Sequence, residues 1–146
     1  MSVASTAHTK IIALLDYSSP TPLWEDVYDR HATARILTPS ISVEVSSMVP
    51  IGSNKAIVEN ELVDNYVVRL SIRVHTGYRQ GPPNAVEAAT LADAVILRLR
   101  THIDLVDGYR IFDVQGAIYD AIHTSSGTTG AEVIVDVHKV AFYEQA

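Results

Sequence analysis

Arg69 and Arg73 stand four residues apart on one parity of the stretch NYVVRLSIRVHTGY, residues 65–78, with Ser71 between them and His75 beyond. Guanidinium groups on one strand face can contact phosphate or pair with carboxylates, since alternate side chains point the same way. A nucleic-acid platform also interleaves aromatic rings for base stacking, and none accompanies this pair. Arg79, Arg98, Arg100 and Arg110 belong to other elements. The face can therefore hydrogen-bond and pair with acids without demanding an anion.

Other residue groups suggest chemistry and fail their context tests. SSGTTG, inside HTSSGTTGAE, has the glycines of a phosphate-cradling loop. It lacks the lysine, and a strand-like AEVIVDV follows where a helix is required. The reading expects a flexible hairpin loop over 123–131. Among six histidines no HxxxH or HExxH pair occurs, and with no cysteine there are no thiolate ligands. His102 and Asp104 are spaced to point apart, while His75, His123 and His138 converge only if strand register brings them together. Glu25, Asp26 and Asp29 beside Arg30 and His31 offer acid–base groups, as do Glu59, Glu61 and Asp64, but both sets read as solvated surface. No nucleophile elbow, Ser–Lys pair or dinucleotide fingerprint is present. The expectation is a protein without catalytic, metal or cofactor site.

The elements that position these residues follow from periodicity. Val3, Ala7, Ile11, Leu14 and Leu15 make a helix over 3–16, capped by Ser2 or Ser5 and closed before Pro20 and Pro22. Trp24, Val27 and Tyr28 are expected to dock a short turn on the core. Ile41, Val43 and Val45 alternate with Ser42, Glu44 and Ser46 as a strand, and MVPIGSNKA reads as a loop because of Pro50 and Gly52-Ser53-Asn54. An extended run from about 57 to 76 follows, too long for one strand, so part of it is expected to bend or arch out of the sheet, with 55–64 as the candidate arm. Tyr66, Val68, Leu70, Ile72 and Val74 face the core.

After a loop at 77–83, Asn84 and Glu87 open a second helix. Its stripe is Ala88, Leu91, Ala92, Val95, Ile96, Leu99 and Ile103, and Asp107-Gly108 stops it. Strands at 109–122 and 131–143 close the chain. Phe112, Val114, Ile118 and Ile122 share one parity of the first, with a bulge at Gly116. Val133, Val135 and Val137 line the second, and a shift to Val140 and Phe142 signals another bulge. This order predicts a single α+β domain over residues 1–146. Its sheet is mainly antiparallel with about four strands, and both helices pack on the apolar face while the other face is open.

Composition fits that picture. The chain has 146 residues, 47% hydrophobic, with net charge −6. Such a balance supports a real core and does not attract nucleic acid or an anionic membrane. No apolar run reaches the ~18 residues of a membrane span. MSVASTAHTK has no signal-peptide pattern, so a soluble domain made inside the cell is expected.

The sequence order resembles the tail terminator, or tail-completion, proteins of long-tailed bacteriophages. The likeness lies in an N-terminal helix before a β-arm, then NYVVRLSIRVHTGY, a glycine-proline loop, the alanine-rich VEAATLADAVILRLRTHIDLVDGYRI and a closing hairpin, over roughly residues 1–143. More loosely it is similar to neighbouring neck and tail-tube proteins. The resemblance implies a homohexameric ring in the virion, assembled in the host cytoplasm. Such a ring caps the tail tube, ends its growth and binds the head–tail connector, with no cofactor and no reaction. MVPIGSNKAIVENELVDN then corresponds to an arm reaching a neighbouring subunit. Arg69, Arg73 and His75 on the face, with Glu59 and Glu61 on the arm, are the candidate interface residues. DNA passes such a ring without specific binding, and an acidic lumen suits a sliding polyanion because a basic one holds it by counterion release. Two rivals are another neck or tail-tube component and a small-molecule-binding or enzymatic α+β domain.

Overall fold

The computed structural model describes residues 2–18, 22–31, 39–58, 61–76, 85–119 and 130–144. Ser2 begins helix α1 (Val3–Leu15) by accepting the Ser5 N–H on its side chain, so of the two serines it is the cap. Ala7, Ile11 and Leu15, at spacings of four, form its buried stripe. The end of α1 is held from elsewhere in the chain. Trp24 Nε1 donates to the Leu15 carbonyl at 2.9 Å and Arg98 Nε to the Leu14 carbonyl at 3.0 Å, satisfying acceptors that a helix C-terminus leaves open. Arg98 also lies over the Tyr17 ring, 4.0 Å from its centre.

Five strands form one sheet: β1 (Asp26–Tyr28), β2 (Ser40–Val58), β3 (Glu61–His75), β4 (Tyr109–Tyr119) and β5 (Gly130–Glu144). Their order is β1-β2-β3-β5-β4, antiparallel except for the parallel β1–β2 pair. The fifth strand, beyond the four expected, is the three-residue β1, where a docking turn was anticipated. Trp24 docks on the core as expected, whereas Tyr28 is exposed. Helix α2 (Ala85–Thr101) lies between β3 and β4.

Both helices share one core with a single face of the sheet. Ile11 and Leu15 join Leu91, Val95 and Leu99 against Val43, Val68, Leu70, Ile72 and Val74, with Val133, Val135 and Val137 beside them. Of the apolar parity of β3, Val68, Leu70, Ile72 and Val74 are core, whereas Tyr66, expected there, is only half-buried; on the other parity Ser71 and His75 are buried as well.

Several boundaries differ from the sequence reading. MVPIGSNKA is not a loop: β2 continues through it, and four residues opposite Asn65 are absorbed as an irregularity between Pro50 and Lys55. Pairing of the flanks with β3 overrides the local turn signal. The arm is consequently a paired ribbon, in which Lys55–Val58 lie on Asp64–Glu61 and the latter on Ala141–Glu144. Helix α2 stops at Thr101, before Asp107-Gly108, so Ile103 leaves the stripe and is exposed. Val106, Asp107 and Gly108 all have positive φ and form the turn into β4.

In β4 a register shift between Ile111 and Asp113 sends Phe112 outward, 67% exposed, where its parity had promised core. The bulge at Gly116 is present, between Gln115 and Ala117. No bulge interrupts the β3–β5 ladder near Val140, which runs in unbroken register from His75–Gly130 to Glu61–Glu144. The expected loop at 77–83, residues 123–129 of the loop expected over 123–131, the Asn84 cap and Glu59 lie outside the described residues, while Gly130 and Ala131 belong to β5.

Candidate functional site: the outer face of the sheet

The strand face turned away from the helices carries the residues that could do chemistry. Cross-strand register sets them in ranks, because directly paired antiparallel residues share a face. One rank runs Ser47–Arg69–Asp136–Asp113, the next Glu44–Ser71–Ile134–Gln115, and the next Ser42–Arg73–Glu132. At one end Val49, Val67, His138 and Arg110 form a more apolar rank, and at the other Ser40 and His75 meet Gly130.

The two arginines are committed within the chain. Arg69 makes a two-pronged contact with Asp136, Nε to Oδ1 at 2.9 Å and Nη2 to Oδ2 at 3.1 Å. The Asp136 side chain is 8% exposed and that of Arg69 45%. This hydrogen bonding, then the charge of Asp136, raises the guanidinium pKa further above its ordinary value. Arg73 Nε lies 3.5 Å from Glu132 Oε2, a looser pair.

His75 is not on offer to a partner, being only 3% exposed. Burial, then His31 and Arg73, pushes its pKa down to about 4. Of the acidic arm residues, Glu61 pairs through its backbone with Val58 and Glu144.

Sequence reasoning grouped His31 with a solvated acidic cluster and missed that it stands at the centre of this face. It follows β1, and its backbone N–H donates to Glu44 Oε2 at 3.1 Å. The ring spans two strands: Nδ1 is 2.8 Å from Ser42 Oγ and Nε2 is 3.0 Å from Ser71 Oγ. Ser71 donates to Glu132 Oε2 at 2.8 Å, and His75 Nε2 lies 3.4 Å from Ser42 Oγ. Burial and then Arg73 lower the His31 pKa, against the opposing pull of Glu44 and Glu132. His31, Glu44, Ser46, Ser71, Arg73, Glu132 and Ile134 line a recess of about 480 Å³ above this network. Glu25, Asp26, Asp29 and Arg30 are exposed, as a solvated surface requires.

The partners of the arginines did carry a signal. Arg69 and Arg73, four apart on β3, face Asp136 and Glu132, four apart on β5. The two spacings match. His31 had none, because its partners are brought to it by strand pairing alone.

Among the described residues no three histidine or acidic side chains are grouped to hold a metal ion. Serine oxygens at both ring nitrogens of His31 give proton-relay geometry. A nucleophile is another matter, since Ser71 gives its proton to Glu132 and is buried. No described helix is long and apolar enough to cross a membrane. No protein-family model matches the chain, and no curated protein matches it.

Proposed function

We propose that this chain is a structural subunit that closes into a ring, of the kind the phage tail terminators form at the head-proximal end of a tail. In this reading the ring, most simply a hexamer, ends tail-tube polymerisation and joins the tail to the head connector. DNA passes through without specific binding, and no reaction is catalysed. The carrying observation is the one-sided sheet: both helices cover one face, while the other combines satisfied ion pairs with exposed Val49 and Phe112. Mixed surfaces of this kind suit protein contacts, where depleted free charge and aromatic anchors matter more than bulk hydrophobicity. In this reading the paired ribbon of β2, β3 and β5 is the element that meets a neighbour.

Because Arg69 and Arg73 already have acids of their own, assembly in this reading rests on shape and apolar contact more than on free cations. Light scattering on the purified protein should give a multiple of the 15.9 kDa chain, six copies being expected. Electron microscopy should show rings that cap tail tubes. A stable monomer that leaves tube length unchanged would refute the proposal. The small-molecule reading draws on the recess beside His31, and a ligand bound there by a monomer would favour it.

A further inference from the structure

The hydrogen-bond chain across the outer face has only one consistent proton arrangement when both histidines are neutral. Ser71 has a single proton and gives it to Glu132, so its oxygen accepts from His31 Nε2–H. His31 Nδ1 is then bare and receives the Ser42 O–H at 2.8 Å. The Ser42 oxygen in turn accepts from His75 Nε2–H. That leaves His75 Nδ1 without a proton, and this atom is buried with no hydrogen-bond partner. A bare ring nitrogen is the less costly way to leave it, since an N–H there would be a buried unsatisfied donor.

We propose that His31 is a proton-sensitive catch: neutral, it holds the segment Asp29–His31 over Ser42, Ser71 and His75, and protonated, it releases that segment and uncovers the inner part of the face. A proton on Nδ1 takes away the acceptor of the Ser42 hydroxyl. That hydroxyl must turn elsewhere, and the ring nitrogen on its other side is His75 Nε2. Accepting there drives the His75 proton to Nδ1, where nothing receives it.

Charge acts on His31 from every packed element. Glu44 of β2 and Glu132 of β5 favour the imidazolium, while Arg73 of β3 and burial oppose it and prevail. His75 stands behind as a second reluctant base, and Asp29 and Arg30 of the segment itself are exposed. The catch works on the chain by itself and does not depend on the assembly role.

The experiment is nuclear magnetic resonance on the ¹⁵N-labelled protein, reading ring nitrogens and amide exchange while the pH is lowered. At neutral pH both rings should be neutral with the proton on Nε2. His31 should titrate below 6.5, and its amide, bonded to Glu44, should lose about tenfold or more of its protection as it does so. The amide of Leu70, inside β3, should keep its protection through that step. His31→Gln should show the same segment protection at both ends of the titration. Ser42→Ala, which frees Nδ1 from its donor, should move the His31 midpoint upward. A proton on Nδ1 at neutral pH, a His31 midpoint at or above 6.5, or release only together with Leu70 would each overturn the catch. So would an unmoved midpoint in Ser42→Ala.

Discussion

Acidification should weaken the fold through His75 by an amount the structure sets. The ring is 3% exposed, and its pKa is about 4 against 6.5 for an ordinary imidazole. On acidification the unfolded chain therefore takes up this proton first. Between those two values the unfolded state binds more protons, so stability falls as pH falls. Above 6.5 the contribution is fully present, and below about 4 the loss is complete. A gap of about 2.5 units at 1.36 kcal/mol each gives about 3 kcal/mol, with a steepest slope near 1.4 kcal/mol per pH unit. Urea denaturation at about pH 7.5 and about pH 4.5, on the wild type and His75→Gln, isolates this term from the carboxylates. The glutamine keeps an N–H to offer Ser42 and cannot titrate. The stability gap between the proteins should shift by about 2–3 kcal/mol in favour of the variant at the lower pH while the Asp29–His31 segment stays closed over His75, and by less once that segment has opened. Parallel pH profiles would refute the reasoning, because they would mean that His75 is solvated or charged in the fold.

Three further outcomes are expected. Leu99→Ala, in the shared core, should cost about 2–5 kcal/mol in a denaturation experiment, and an unmoved midpoint would place α2 elsewhere. Arg69→Glu with Arg73→Glu sets like charges against Asp136 and Glu132, so the monomer itself should lose stability by circular dichroism melting. Adding Asp136→Arg and Glu132→Arg should restore much of the loss, and no restoration would show that the pairing is incidental. Trp24→Phe removes the donor to the Leu15 carbonyl and should lower stability by about 1 kcal/mol, read by thermal melting.

The sequence made some of this legible and hid the rest for physical reasons. The core residues Val68 to Val74 of β3 and the stripe of α2 from Ala88 to Leu99 were readable because each depends on one period and one apolar face, whereas the burial of Ser71 and His75 on the other parity depends on what packs over them. The extent of β2 was not, because Pro50 and Gly52-Ser53-Asn54 are local turn signals while the deciding interaction, pairing with β3, is distant in sequence. Phe112 was misplaced for a related reason: a single-residue bulge inverts parity, and nothing at Asp113 announces it. The outer face was half visible. Arg69 and Arg73 were found, but their acids sit more than fifty residues away on β5, joined by register. His31 stood among charges that are indeed solvated, and only the fold of the chain after β1 turns its ring onto Ser42 and Ser71.

The outer edge of the sheet sets a limit on how these molecules can stick to one another. A bare terminal strand is a template on which another chain can add itself, and uncontrolled addition leads to fibres. Here the start of β4 is occupied by its own preceding segment: Ile111 N–H donates to the Ile103 carbonyl, Leu105 N–H to Tyr109, and Asp104 bridges Arg110. Farther along, the irregularities at Phe112 and Gly116 break the even spacing of backbone groups that an incoming strand would need. The margin of β4 is thus partly sealed and partly misshapen. A concentrated stock of this protein should accordingly resist ribbon-like aggregation from that side.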